Sequence, residues 1–260
     1  MAPRGVVAAA VTAVFALRLE QEGFAGAERL VPIVFFVIVG TVAIYGLVDR
    51  PLAIRLGIAE RDPNGVVIVA AHPFARGLAR ALRDLDLPVL VVDTNPGLIS
   101  DARIEGLRVY HGSVLSDQAG DELDLPGIGK IFAMTANDEI NALSARHFVH
   151  LFGRENLFHL AQAKEPEEGS AELSAAVRAR VLFGEDATYR EMESRWEDGT
   201  EYKATPLTEQ FRFADWRREY GDEALPLLTV SSSGVVKVAT VDQPLDPKPG
   251  DTLLGFMKVE

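Results

Sequence analysis

The chain has no cysteine among its 260 residues. Disulfides, thiolate zinc sites and cysteine nucleophiles are therefore excluded. Positive charge is scarce: 26 Lys and Arg stand against 38 Asp and Glu, for a formal net charge of −12. That balance argues against nucleic acid as a partner, because binding its backbone needs a basic surface. Metal ligands are sparse too. His147 and His150 lie three apart on an expected helix, but no third ligand stands near them in sequence, so no metal is expected. No Ser-His-Asp set has usable spacing, and no carboxylate pair stands out as general acid and base. No catalytic residue is assigned, and the chain does not read as an enzyme. The acidic runs at 165–168 and 185–201 read as solubility features.

Apolar residues are plentiful but uneven. They make up 48% of the chain, and most long runs fall in the first 58 residues. Leu30 to Val48 is 19 residues without a charge. As a helix it would reach about 28 Å, close to the hydrocarbon thickness of a bilayer. It is a membrane-span candidate, with Gly40 and Gly46 as thin places for a second helix. Arg50, Arg55 and Arg61 follow it. Positive residues mark the cytoplasmic end of a span, so the rest of the chain is expected in the cytosol. Gly5 to Leu17 is a second apolar run, 13 residues long and rich in alanine, as in a helix that packs on other helices. Met1 and Arg4 before it raise a signal peptide, but no clean cleavage site follows.

The stretch Gly65 to Asp93 organises the remainder. Val66 to Val69 reads as a strand buried on both faces, Ala70 to Ala75 as a turn, and Arg76 to Arg83 as a helix with Leu78, Ala79 and Leu82 on one side. Val89 to Val92 is a second buried strand ending on Asp93. Strand, turn, helix and strand in this order form the first unit of a Rossmann-type, doubly wound sheet. The phosphate turn of that fold wants G-x-G-x-x-G; here Ala70, His72 and Ala75 hold the glycine places. The first glycine allows the tight turn, the second a close approach of pyrophosphate, and the third close helix packing. The His72 ring is expected to fill phosphate space, and Pro73 removes a donor. His72 could also sense pH, since histidine titrates near neutrality. Asp93 keeps the carboxylate that holds a ribose hydroxyl.

Further strands and helices alternate after Asp93. Thr94 to Gly97 reads as a turn, Ser100 to Glu105 and Ser116 to Leu123 as helices, and Leu107 to His111, Ile131 to Met134 and Leu157 to Ala161 as strands. Asn137 to Phe152 reads as a long helix capped by Asn137 or Asp138. The alternation predicts a parallel sheet with helices on both faces. Past Ala163 the pattern thins. Ala171 to Ala179 is a helix candidate, and Arg190 to Gly199 reads as charged and solvated. Leu227 to Ser231, Val235 to Thr240 and Thr252 to Lys258 read as short strands of a small β-rich cap.

Two resemblances bear on these segments. Pro3, Arg4 and Gly5 with the small-residue run after them, and Thr41, Gly46 and Leu52 to Ile58, are similar to the last two membrane helices of NhaP-type sodium/proton antiporters. The resemblance implies a place for Arg4 in ion translocation, beside a carboxylate on an earlier helix. Residues 65–163 resemble the nucleotide-binding lobe of RCK domains, also called TrkA-N domains. The resemblance is carried by Asp93, by Gly112-Ser113 where the family has Gly-Asp, and by Thr135-Ala136-Asn137-Asp138-Glu139-Ile140-Asn141. It implies a cytosolic domain that dimerises, binds nucleotides or ions, and gates transport.

The expectation is an α/β chain in four parts. Residues 1–58 hold two membrane helices (about 5–18 and 30–48) and an exit helix, and 59–163 the Rossmann-like RCK/TrkA-N domain. Residues 164–222 form a linker or helical region, and 223–260 a β-rich lobe. The function implied is a membrane-anchored regulatory module of a monovalent cation/proton antiporter, gating sodium or potassium exchange. The alternative is a membrane-tethered NAD-dependent oxidoreductase. The expected ligand-binding residues are Ala71, His72, Phe74, Ala75, Asp93, Thr94, Gly112, Ser113, Thr135, Asn137 and Asp138. They would hold a nucleotide, AMP/ADP or NAD(H), weakly, with Kd on the order of 0.1–1 mM. Expected partners are the membrane, a second copy of the chain through the RCK-like domain, and the remaining antiporter helices on the same or another chain. The expected place is the inner membrane of a bacterium, with the C-terminal domain in the cytoplasm.

Overall fold

Val66–Val69 and Val89–Val92 become central strands with every residue buried. That follows from apolar runs with no polar alternation, which only a sheet covered on both faces can accept. The computed structural model describes residues 4–55, 63–116, 127–162, 179–221 and 223–258. They fall into two compact units, Met1–Arg61 and Asp62–Glu260.

The first unit is a helical hairpin. Helix α1 (Arg4–Gln21) and helix α2 (Leu30–Arg55) are joined through a 3-10 turn at Ala27–Arg29 and pack on each other. Little of their apolar surface is covered: Ala16 and Ala27 are buried, while Phe36 is 81% and Leu47 77% exposed. The Thr41 hydroxyl donates back to the Val37 carbonyl at 2.8 Å, so it carries no unmet polar demand. Two spans were expected. Among the described residues, one helix is long and apolar enough to cross a membrane, over Ala27–Val48, with mean hydropathy 2.5. Helix α1 falls short because Arg4, Arg18 and Glu20 interrupt its 18 residues. The exit stretch continues α2 as far as Arg55; residues 56–58 lie outside those described.

The second unit is built on a parallel sheet. Its strands are β1 (Gly65–Val69), β2 (Val89–Asp93), β3 (Val109–His111), β4 (Ile128–Ala133), β5 (Leu157–His159) and β6 (Arg180–Val181), in the order β3-β2-β1-β4-β5-β6. All neighbours are parallel, with Val67 opposite Leu90 on one side and Ile131 on the other. The two faces take alternate residues. Val67, Val69, Leu90 and Val92 join Phe148 of α5 (Asp138–Phe152) in one core. Val66, Ile68 and Val91 join Phe74, Leu78 and Leu82 of α3 (Pro73–Arg83) in the other. Helix α4 (Pro96–Ile104) adds Ile99 and Ala102 to that second core.

The α3 face needs more cover than helices supply, and the C-terminal lobe provides it. Strands β7 (Thr200–Pro206), β8 (Leu225–Val230), β9 (Val236–Val238) and β10 (Thr252–Lys258) form an antiparallel sheet in the order β7-β10-β8-β9. Its Leu228, Val238, Leu254 and Phe256 enter the same core as Leu78 and Ile68. Helix α7 (Phe213–Tyr220) covers the opposite face with Trp216, which is why β10 is apolar on both sides. Arg180 ties the sheets together, donating to the Thr240 hydroxyl at 2.7 Å and pairing with Asp242 at 3.2 Å.

The elements depart from the sequence reading in a few places. Helix α3 begins at Pro73, not Arg76, so the turn is shorter than Ala70–Ala75. Helix α4 begins at Pro96, inside the expected turn Thr94–Gly97. Both prolines sit in the first helical turn, where a fixed φ helps and the missing N–H costs nothing. The charged run at 190–199 is largely helix α6 (Tyr189–Glu197), which buries Met192. Within the expected linker at 164–222, residues 180–181 complete the parallel sheet and 200–206 form β7. Strand β7 is polar and lies at a sheet edge, so it left no apolar signature. The helix candidate at 171–179 and nearly all of that at 116–123 lie outside the described residues.

Gly77 sets how closely α3 meets the C-terminal lobe. A Cβ there would lie 2.5 Å from the Trp196 ring of α6 and 3.0 Å from the Tyr202 ring of β7. Gly77→Ala is expected to lower unfolding free energy by about 1–3 kcal/mol, the usual cost of overpacking. Combining it with Trp196→Leu should recover part of that loss. Denaturant unfolding of the four variants in a double-mutant cycle checks this: additive losses would mean the two residues do not meet.

Candidate functional site

The strand order reverses between β1 and β4, with β2 and β3 to one side and β5 and β6 to the other. In an open α/β sheet that reversal opens a crevice at the carboxyl ends of the strands, where ligands bind. The loop from β1 to α3, Ala70-Ala71-His72, lies at this edge. Ala70, in the first glycine place, has φ +154°, a conformation that side chains seldom adopt. Ala75, in the third, is fully buried and packs without trouble.

His72 was expected to fill the space of a phosphate. Instead of a free loop residue, it is the N-cap of α3. Its Nδ1 accepts from the Ala75 N–H at 3.4 Å, and its Nε2 lies 2.7 Å from the Met134 carbonyl. Those two bonds together select the neutral tautomer with the proton on Nε2. The ring packs on Phe74, centroid to centroid 3.9 Å, and meets Tyr189 of α6 edge-on at 5.0 Å. Burial lowers its pKa below the usual 6.5; the Met134 bond and the charges of Asp93 and Glu193 oppose that, and Arg76 adds to it. Tyr189 donates to Glu193 at 2.8 Å, and burial, then that bond, pushes its phenol up to about 12.

Asp93 was expected to await a ribose. Its Oδ2 accepts the Ala71 N–H at 2.8 Å and its Oδ1 the Asn95 N–H at 2.8 Å. The carboxylate thus clamps the loop it faces. Arg76 holds the loop from the other side. It donates to the Ala71 carbonyl at 2.8 Å and pairs with Glu105 at 2.8 Å. Neither Arg76 nor Glu105 stood out in sequence. The available signal was an arginine in the first turn of a helix, where the dipole disfavours it unless an acid compensates.

The other expected residues gather nearby in two groups. Gly112 donates its N–H to the Asp93 carbonyl, and a Cβ there would strike the Tyr110 ring. Ser113 accepts the Leu115 N–H at 3.1 Å, and the Thr94 carbonyl lies 3.1 Å from His111 Nε2. Beyond β4, Asn137 caps α5 through the N–H groups of Glu139 and Ile140. Buried Asn141 accepts from the Thr135 N–H and hydroxyl and donates to the Thr135 carbonyl. Asn141 is the organiser of this loop, although it was read only as part of the motif. Asp138 opens α5, and Phe74 is core rather than lining, 1% exposed. Arg4 is the first residue of α1, in the other unit. Among the described residues no three potential ligands gather as a metal site.

The turn as it stands does not fit a dinucleotide. Pyrophosphate binding on this fold uses loop and helix N–H groups. Here Ala71 N–H is held by Asp93, Ala75 N–H by His72, and Pro73 has none. Side chains of the chain itself have taken two of the turn's donors.

The depressed His72 pKa makes stability pH-dependent. The unfolded chain takes up its proton first, near pH 6.5, so between there and the lower folded value the unfolded state binds more protons. Stability therefore falls as pH drops below about 6.5 and is fully retained above it. Denaturant midpoints measured from pH 7.5 to 5 should decline for the parent. They should decline less for His72→Asn, which keeps a capping oxygen but does not titrate. Equal slopes would mean that His72 is not the titrating group.

Residues 66–180 match the family model described as the TrkA-N domain. No curated protein matches the chain. Among solved structures, the chain is similar to the NAD(P)-binding domain of an exopolyphosphatase-related protein from Archaeoglobus fulgidus. That match has 18% identity, covers 52% of this chain and 98% of that one, and has a TM-score of 0.39. The TrkA-N domain of the inner membrane protein ybaL from Escherichia coli is similar at 17% identity, over 52% and 95%, with a TM-score of 0.38. The GsuK channel bound to NAD is similar at 15% identity, over 95% of this chain and 50% of that one, with a TM-score of 0.39. With its parallel sheet in the order β3-β2-β1-β4-β5-β6, this chain has, over residues 66–180, a Rossmann-like fold that matches the TrkA-N domain.

Proposed function

We propose that this chain is the regulatory end of a monovalent cation/proton antiporter in a bacterial inner membrane. In this reading α2 anchors it, and the TrkA-N domain with its C-terminal lobe works in the cytoplasm as a homodimer, gating sodium or potassium exchange for proton. The remaining transport helices lie on the same or another chain, and Arg4 serves ion translocation beside them. The observation that carries the reading is one chain holding both a match to the TrkA-N domain and an apolar segment, Ala27–Val48, that leaves most of its surface exposed. A soluble domain would not leave Phe36, Tyr45 and Leu47 to water. The ligand of the crevice is a weakly held nucleotide, AMP or ADP, because its phosphate must displace side chains from two loop donors. The same geometry tells against a membrane-tethered NAD-dependent oxidoreductase.

The test is exchange in everted membrane vesicles. Vesicles from cells carrying the whole gene are compared with vesicles lacking residues 62–260, using a pH-sensitive dye and pulses of Na+ or K+. Removal of the cytoplasmic unit should change the rate, or its dependence on pH, by several-fold. Identical traces for both cations would remove the gating role.

A further inference from the structure

The second glycine place of a phosphate turn holds a histidine that caps the helix itself. Neutral His72 accepts the Ala75 N–H through Nδ1 and reaches Met134 through Nε2, while its ring rests on Phe74 and Tyr189. We propose that His72 is a proton-operated latch on the phosphate turn: neutral, it closes the turn, and protonated, it opens the turn to a phosphate group. The inference rests on the reading of the crevice as a nucleotide site and concerns how that site is controlled.

The argument is one of donors and acceptors. Protonation places a hydrogen on Nδ1, so two donors, Nδ1–H and Ala75 N–H, would face each other across 3.4 Å. The imidazolium would also sit at the positive end of the α3 dipole, where a cation is disfavoured. Both conflicts disappear if an anion accepts from both donors at once. A phosphate group has the charge and the acceptor oxygens to do so. The charges around the ring set the balance. Asp93 of β2 and Glu193 of α6 favour the proton, and Arg76 of α3 opposes it. Tyr189, raised to about 12, stays neutral. Because the ring also touches Tyr189, opening the latch loosens a contact between the TrkA-N loop and helix α6, which packs beside the C-terminal lobe. Phosphate binding and proton uptake are then one event, felt at both ends of the unit.

Calorimetry of ADP binding to the full chain in lipid nanodiscs, at pH 7.5 and 6.0, tests the proposal. Parent protein is expected to bind ADP about tenfold more tightly at pH 6.0, within the limit of tenfold per pH unit for one proton. It should take up close to one proton, read from buffers of different ionisation enthalpy. His72→Asn should show no such gain. If that variant does not fold, the His72 ring resonance of the parent, titrated by NMR with and without ADP, should move to higher pKa when ADP is bound. ADP binding of equal strength at both pH values, with no proton uptake, overturns the latch and leaves the nucleotide reading standing. No ADP binding at either pH overturns both. Inorganic phosphate that matches ADP in affinity and proton uptake upholds the latch but overturns the nucleotide reading.

Discussion

The second unit depends on one constraint: a parallel sheet whose central strands are apolar on both faces must be covered on both. Helix α5 and its Phe148 cover one face. The other is covered by α3 together with the inner face of a second, antiparallel sheet. The parallel sheet and the C-terminal lobe therefore share a core. Gly77 is a point of close approach, since it leaves room for Trp196 and Tyr202 where a side chain would push into their rings. The Arg180 bonds to Thr240 and Asp242 close the same seam at the sheet edge.

That arrangement bears on the crevice. In a Rossmann-type turn, backbone N–H groups point outward to an anion and nothing in the protein competes for them. Here the competition is internal. Asp93 holds one donor and His72 another, and Arg76 fixes the loop by its carbonyl. Two of the loop's N–H groups are bonded without a ligand, and an anion that accepts from either must displace a bond that already exists. The contact from His72 to Tyr189 runs out of the crevice toward α6, so the turn is mechanically joined to elements added after the parallel sheet.

The first unit obeys a different solvent. Over Leu30–Val48 helix α2 has no charged residue, and the Thr41 hydroxyl is satisfied within the helix. Such a helix has no stable place in water unless protein or lipid surrounds it. Helix α1 covers little of it. The rest of the surface calls for lipid or further helices.

The sequence by itself determined the parallel sheet, because runs such as Val66–Val69 and Val89–Val92 accept no other environment. It determined the apolar helix for the same kind of reason, and strand β10 to the residue, since Thr252–Lys258 stands between clear turns. It also put Asp93 at the end of the second strand. Helix starts at Pro73 and Pro96 were misread because proline marks a turn and a first helical position equally well. Strand β7 was missed because an edge strand needs no apolar pattern. What only tertiary structure decided is who bonds to whom. Asp93 turns back on Ala71, His72 reaches the Met134 carbonyl, and Arg76 finds Glu105 across 29 positions of sequence. Those partners are brought together by the packing of α3 between two sheets, and no local spacing encodes a contact that depends on layers assembled from distant segments.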